Sequence, residues 1–209
     1  MATIEVPLYH VDAFARRPFE GNPAAVCPLE SWLPDRVMQA IAQENNLSET
    51  AFVLRKAEGS GRWSLRWFTP TDEVDLCGHA TLASAWVVCE HLDSGCEVVR
   101  FETRSGPLEV RRRDGKYAMD LPAHPPEPLD GEAALAVEAA LRTTPEQVLS
   151  AGKLVAVLSN ATEVKEAAPD LARVEALDGD GLIVTAPGDD CYFVSRYFAP
   201  HVGIGEDPV

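Results

Sequence analysis

Along the first 121 residues, apolar positions fall into short strand-like runs, interrupted once by a helical stripe and once by a segment that is apolar nearly all round. Residues 4–14 read as a first strand, Gly21-Asn22-Pro23 as a turn, and residues 24–27 as a second, short strand. A helix follows. Pro34 suits a first helical position, Asp35 favours the positive end of the dipole, and Val37 with Ile41 supplies an apolar stripe to about Glu44. Strands are predicted over residues 50–54 and 63–68. In residues 80–90 the Ala, Leu, Trp and Val residues leave little polar face, the pattern of a buried helix. Strands at 98–102, 108–113 and 117–121 complete a β-rich N-terminal unit, residues 1–121.

Residues 122–130 contain four prolines and read as a linker. The second unit, 131–209, begins with helical segments at 132–142 and a helical turn from Pro145. A strand at 154–159, a helix at 162–177 and strands at 182–186 and 191–198 follow. The two units share a signature. Arg66-Trp67-Phe68-Thr69-Pro70 returns as Arg196-Tyr197-Phe198-Ala199-Pro200, each closing a strand-like run and leading into an acidic, glycine-containing turn. After the first turn come Cys77-Gly78-His79 and the buried helix; after the second stand Asp207-Pro208-Val209. The pattern predicts two like halves, the second without a helix to match residues 80–90.

Composition narrows the partners. The 209 residues are 46% hydrophobic, ample for a packed core, and 18 basic against 33 acidic residues give a net charge of −15. That charge opposes binding to nucleic acid or to anionic membranes, and favours a small molecule or a protein. The one basic cluster, Arg111-Arg112-Arg113, reads as a solvated hairpin face. The five cysteines are odd in number and lack ligand spacing, so neither a disulfide framework nor a structural zinc site is expected. Reduced thiols in the cytoplasm fit that pattern. No export signal and no membrane-spanning apolar run is read in the sequence.

Two places carry candidate chemistry. In Leu47-Ser48-Glu49-Thr50-Ala51-Phe52-Val53, strand alternation puts Glu49 on the side of Leu47, Ala51 and Val53. Desolvation there would raise its pKa towards that of a general acid and base. The plainer alternative is a solvated strand-edge glutamate or one that caps the preceding turn. Cys77-Gly78-His79 opens the buried helix, where backbone N–H groups and the helix dipole suit a substrate carboxylate. Gly78 would allow close approach of a ligand, His79 could donate a hydrogen bond or move a proton, and Cys77 could supply a thiolate. The alternatives are a turn glycine, a capping histidine and a small buried thiol.

Several motifs then occur in order: Val11-Asp12-Ala13-Phe14, Phe19-Glu20-Gly21-Asn22-Pro23-Ala24-Ala25-Val26, Asn46-Leu47-Ser48-Glu49-Thr50-Ala51-Phe52, Phe68-Thr69-Pro70 through Gly78-His79-Ala80-Thr81, and Phe198-Ala199-Pro200 through Asp207-Pro208-Val209. Together they resemble the PhzF family of phenazine biosynthesis-like isomerases. The resemblance implies an α+β fold of two similar domains, each a curved, mostly antiparallel sheet around a central helix, as in diaminopimelate epimerase, with the active site between them. It implies a glutamate at Glu49 that shuttles a proton between carbons of a small carboxylated metabolite, with no metal and no organic cofactor. His79 and Asp207 join Glu49 in the implied catalytic set, Gly78, Cys77 and Asn22 line the substrate, and a homodimer is plausible. Two alternatives stay open: a non-catalytic binding module of the same fold, and a thiol racemase using Cys77. The family continues beyond Asp-Pro-Val with Thr-Gly-Ser-Ala and a further helix, so the chain is expected to be part of a longer polypeptide with an incomplete second domain.

Overall fold

The computed structural model describes residues 5–17, 19–56, 61–121 and 123–207, and the chain divides into two compact units between Pro122 and Ala123. In the first unit β1 (Tyr9–Ala13), β2 (Asn22–Leu29), α1 (Asp35–Asn45), β3 (Glu49–Arg55), β4 (Arg62–Phe68), β5 (Glu73–Val74), α2 (Gly78–Val87), β6 (Val98–Thr103), β7 (Gly106–Arg113) and β8 (Lys116–Met119) follow one another. They form one sheet in the order β1-β2-β3-β4-β6-β7-β8, with β5 also paired to β4. β2 with β3 and β4 with β6 run parallel, so each pair needs a crossover, supplied by α1 and α2. The other pairs are antiparallel. α2 contacts β2, β3 and also β1 and β8, the strands at opposite edges. The sheet therefore curls around this helix.

That seat accounts for the composition of α2. Ala80, Ala83, Ala85 and Val87 are buried in one core with Ala51, Val53, Leu65, Trp67 and Phe101 of the strands, and small side chains let the sheet close on the helix. Thr81 and Ser84 are buried as well. Their hydroxyls donate to the carbonyls of Cys77, at 2.5 Å, and Ala80, at 2.7 Å, one turn back, which offsets the cost of burying them. Trp86 departs from the all-round buried pattern: it is 37% exposed and stands edge-on to His91. On the sheet's other face Cys27, Phe52 and Phe68 pack with Met38 and Ala42 of α1.

The second unit contains β9 (Glu127–Pro128), α3 (Gly131–Leu141), β10 (Gln147–Ser150), β11 (Leu154–Val157), α4 (Ala161–Glu166), α5 (Leu171–Glu175), β12 (Leu182–Ala186), β13 (Val194–Ala199) and β14 (Ile204–Asp207), in the sheet order β14-β13-β12-β11-β10-β9. Val137, Ala140 and Leu141 of α3, Val164 of α4 and Val174 of α5 share a core with Leu154, Ala156, Leu182, Val184 and Phe198. Residues alternate across a strand, so Val155, Ile183 and Tyr197 lie on the opposite face, where they are half-buried. No helix among the described residues is long and apolar enough to cross a membrane.

The repeated pentapeptide marks a repeated structure. The pairings β1–β2, β2–β3, β3–β4 and β4–β5 recur with the same directions as β10–β11, β11–β12, β12–β13 and β13–β14. In the first copy Arg66 donates from Nε and Nη2 to the two oxygens of Glu73, both at 2.7 Å. In the second, Arg196 does the same to Glu206, at 2.6 and 2.8 Å. Each guanidinium lies over the phenylalanine two residues on, 5.2 Å from the Phe68 centroid and 5.0 Å from that of Phe198. The remaining nitrogen reaches a helix: Arg66 Nη1 bonds Asp35 at the start of α1, and Arg196 Nη1 bonds carbonyls at the end of α4. A planar fork is what such a three-way tie requires, which explains why arginine is the residue repeated.

Several sequence expectations are corrected. β1 begins at Tyr9, and Ile4, where the strand was expected to start, lies outside the described residues. Asn22 and Pro23 belong to β2 rather than to a turn. The helix expected over 162–177 is two helices, because Pro169 has no N–H to donate and disfavours helix in the residue before it. Asp170 caps the second by accepting from the Arg173 N–H. The helical turn expected from Pro145 is instead β10, and part of the expected linker pairs with it as β9; Pro122 lies outside the described residues. The strand expected over 191–198 starts at Val194. Cys89 and Cys96, expected as thiols, form a disulfide with Cα atoms 5.3 Å apart, because α2 runs on into a π-helical turn, Val88–Leu92, and the chain doubles back. A spacing of seven across such a reversal carries no signal in the sequence.

The clamp in the second unit has a pH signature. Hydrogen bonding and attraction from Arg196 hold the Glu206 carboxyl below its ordinary value of 4.5, so its contribution to stability is complete above that pH and is lost as the pH falls through the lowered folded value. In urea unfolding followed against pH, Glu206→Gln is expected to flatten the fall in stability below about pH 4.5. An acid limb identical to that of the unaltered protein would contradict this.

Candidate active site

The site forms at the starts of β2, β3 and α2. Ahead of β2 the chain turns at Gly21, whose φ is +79° and where an added Cβ would meet the Ala13 carbonyl oxygen at 2.1 Å. Only glycine fits there. The turn delivers Asn22 onto the strand face that also carries Ala24 and Val26, and Asn22 is buried, at 2% exposed. α1 ends with Asn46 in the left-handed conformation, φ 51°, a C-cap that asparagine tolerates. β3 then opens at Glu49, opposite Ala24 of β2, and alternation turns Glu49 with Ala51 and Val53 toward α2.

α2 starts beneath these two strand ends. Its cap is Cys77, extended and without a side-chain capping bond, so the first N–H groups of the helix lack intrahelical acceptors. His79 Nε2 lies 3.2 Å from Glu49 Oε2, with the two side chains 7% and 12% exposed. The other ring nitrogen, Nδ1, lies 3.2 Å from Asn22 Nδ2 and 3.4 Å from Cys77 Sγ. Ser48 donates from its hydroxyl to Asn22 Oδ1 at 3.1 Å. A chain of polar contacts therefore runs Ser48, Asn22, His79, Glu49, with Cys77 beside the imidazole. Ser48 was not singled out from the sequence; its place next to Glu49 in the same motif was the available signal.

Of the residues singled out, Asn22, Glu49, Cys77 and His79 meet within the first unit. Gly78 is the first residue of α2, its φ is not positive, and an added Cβ would meet only Met119 Cε at 3.9 Å and Leu121 Cδ1 at 4.0 Å. Nothing in the fold demands glycine there. Asp207 is the last residue of β14, opposite Tyr197 and half-buried; that strand position corresponds to Val74, opposite Trp67 in the first unit.

Glu49, Cys77 and His79 also offer donor atoms within 4.8 Å of one another, the one such group among the described residues. His79 meets the other two through different nitrogens, however, so the imidazole stands between thiol and carboxylate. The hydrogen-bond geometry runs from Ser48 through Asn22 to His79, and the Nε2–Oε2 approach is a 3.2 Å contact without it. Cys27, the other buried thiol, is pushed up to about 12 by desolvation and is a core residue with almost no thiolate at neutral pH.

A half-buried carboxylate, a buried imidazole and a helix start thus lie together in the first unit. The model of the phenazine biosynthesis-like proteins, PhzC-PhzF, matches residues 11–209. The chain belongs to this family, and with it to the isomerases. It is 50% identical over 206 residues to an uncharacterized isomerase of Pseudomonas aeruginosa, covering 99% of this chain and 78% of that protein. It is 47% identical to a second uncharacterized isomerase of the same organism, covering 99% and 77%. The crystal structure of a PhzF-family protein from Enterococcus faecalis superposes with a TM-score of 0.90 at 46% identity, over 99% of this chain and 78% of that one. The curved sheet around a helix is thus the family's α+β architecture.

The space at Gly78 gives a direct check. Gly78→Ala is expected to leave stability to urea within about 1 kcal/mol of the unaltered protein, since the backbone is already compatible with alanine, while weakening the binding of a carboxylate ligand at the helix start. A large loss of stability would make the glycine structural instead.

Proposed function

We propose that this PhzF-family isomerase moves a proton between two carbons of a small carboxylated metabolite, with Glu49 as the proton carrier. The observation that carries the reading is the half-buried Glu49 carboxylate 3.2 Å from His79 at the start of α2. As a carboxylate, Glu49 removes a proton from a carbon next to an unsaturated group, and the C–H electron pair enters the π system. As a carboxylic acid, it returns the proton to a second carbon of that system, and the double bond settles in its new position. Atoms and charge balance within the substrate and Glu49. The step has no net oxidation or reduction, so it calls for no electron carrier and no organic cofactor. The N–H groups at the start of α2, with the dipole behind them, suit the substrate carboxylate, and Gly78 leaves room for it.

A second reading rests on Cys77, whose sulfur also faces His79 Nδ1 at 3.4 Å. A thiol racemase would use it as one of two bases, and Cys77→Ser would then remove activity. The carboxylate reading expects that variant to remain active.

Incubating the protein with a panel of unsaturated small carboxylates in D2O tests the proposal, with deuterium at carbon followed by NMR. Glu49→Gln is expected to lower exchange into the responsive substrate by at least about 10²-fold, the range for loss of a general acid and base, with the fold unchanged by circular dichroism. Undiminished exchange in that variant would refute the reading, and a carboxylate that binds without any exchange would favour a binding module.

A further inference from the structure

We infer that Asn22, beside Ser48, is a positioning residue that locks His79 as the neutral tautomer protonated at Nε2, so that the imidazole presents an N–H rather than a lone pair to the Glu49 side. The Asn22 end of the polar chain leads to this assignment. Ser48 donates to Asn22 Oδ1 at 3.1 Å, and in the same amide orientation Nδ2, a donor only, faces His79 Nδ1 at 3.2 Å. A donor facing Nδ1 requires that nitrogen to be the acceptor. A neutral imidazole then carries its proton on Nε2, which faces Glu49 Oε2 at 3.2 Å. The opposite tautomer would set the Nε2 lone pair against a carboxylate lone pair, and would leave the Asn22 N–H groups directed at an N–H. All four side chains lie on the starts of β2, β3 and α2 or next to them, and Asn22 and His79 are buried, where mismatched polar groups cost most.

The assignment divides the labour at the site. With Nε2 already protonated and Nδ1 engaged by Asn22, the imidazole has no vacant position for a substrate proton, and Glu49 is the member of the pair that can take one. Cys77 Sγ, 3.4 Å from the same Nδ1, fits as a second donor to it. This division of roles rests on Glu49 being the proton carrier; the tautomer itself does not.

The test is long-range proton–nitrogen NMR on the full chain carrying 15N-histidine, with the His79 ring identified by its loss in His79→Gln. The expected spectrum has Nε2 in the protonated range and Nδ1 in the unprotonated range. Asn22→Asp replaces the donor with an acceptor and is expected to shift Nδ1 into the protonated range. Nδ1 protonated in the unaltered protein, or unprotonated in Asn22→Asp, would overturn the inference. Should Asn22→Asp not fold, the unaltered protein's spectrum decides alone. The readout needs no substrate, so the expected tautomer together with no exchange on any carboxylate would sink the proposed function and leave this inference standing.

Discussion

The first unit is organised by one constraint: a sheet of eight strands must curl tightly enough for both of its edges to reach the same helix. That requires α2 to be slender and apolar, and its alanines, with hydroxyls bonded back to its own carbonyls, meet the requirement. Burying a helix this deeply buries its start as well. The polar groups there must find partners in their surroundings, and among the described residues the first residues of β2 and β3, Asn22 and Glu49, lie against them. The site is a consequence of the seat. His79 is held against Glu49 because the helix that carries it has nowhere else to go.

The same logic links the two halves. The Arg66–Glu73 and Arg196–Glu206 clamps brace equivalent hairpins against the helices on the outer faces of their sheets. In the first unit the hairpin leads directly into Cys77-Gly78-His79. In the second unit the corresponding hairpin ends in Asp207, where the first has Val74. The repeat keeps the residues that hold the scaffold and changes the residue that faces away from its outer helices.

Much of this was legible in the sequence because it depends on local rules. Alternation placed Glu49 with Ala51 and Val53, the uniform apolarity of 80–90 marked a helix buried on most sides, and the pentapeptide exposed the repeat. What stayed hidden depends on contacts between distant residues or on backbone detail. Gly21-Asn22-Pro23 looks like a turn, yet only its glycine turns; Asn22 enters β2 because β1 is there to pair with it. The polar link from Ser48 through Asn22 to His79 joins residues 26 and 57 positions apart, a distance no periodicity spans. The division of the helix expected at 162–177 follows instead from a local rule, the missing N–H of Pro169. The Cys89–Cys96 bridge depends on a π-helical turn that composition does not announce.

The 3.2 Å approach of Glu49 and His79 predicts a coupling between them, and a double-mutant cycle measures it without knowledge of the substrate. Urea unfolding of the unaltered protein, Glu49→Gln, His79→Gln and the double variant gives the interaction energy. Partners in one buried network are expected to be non-additive by about 0.5–3 kcal/mol. Additivity within about 0.3 kcal/mol, the behaviour of independent sites, would contradict the pairing on which the site is built.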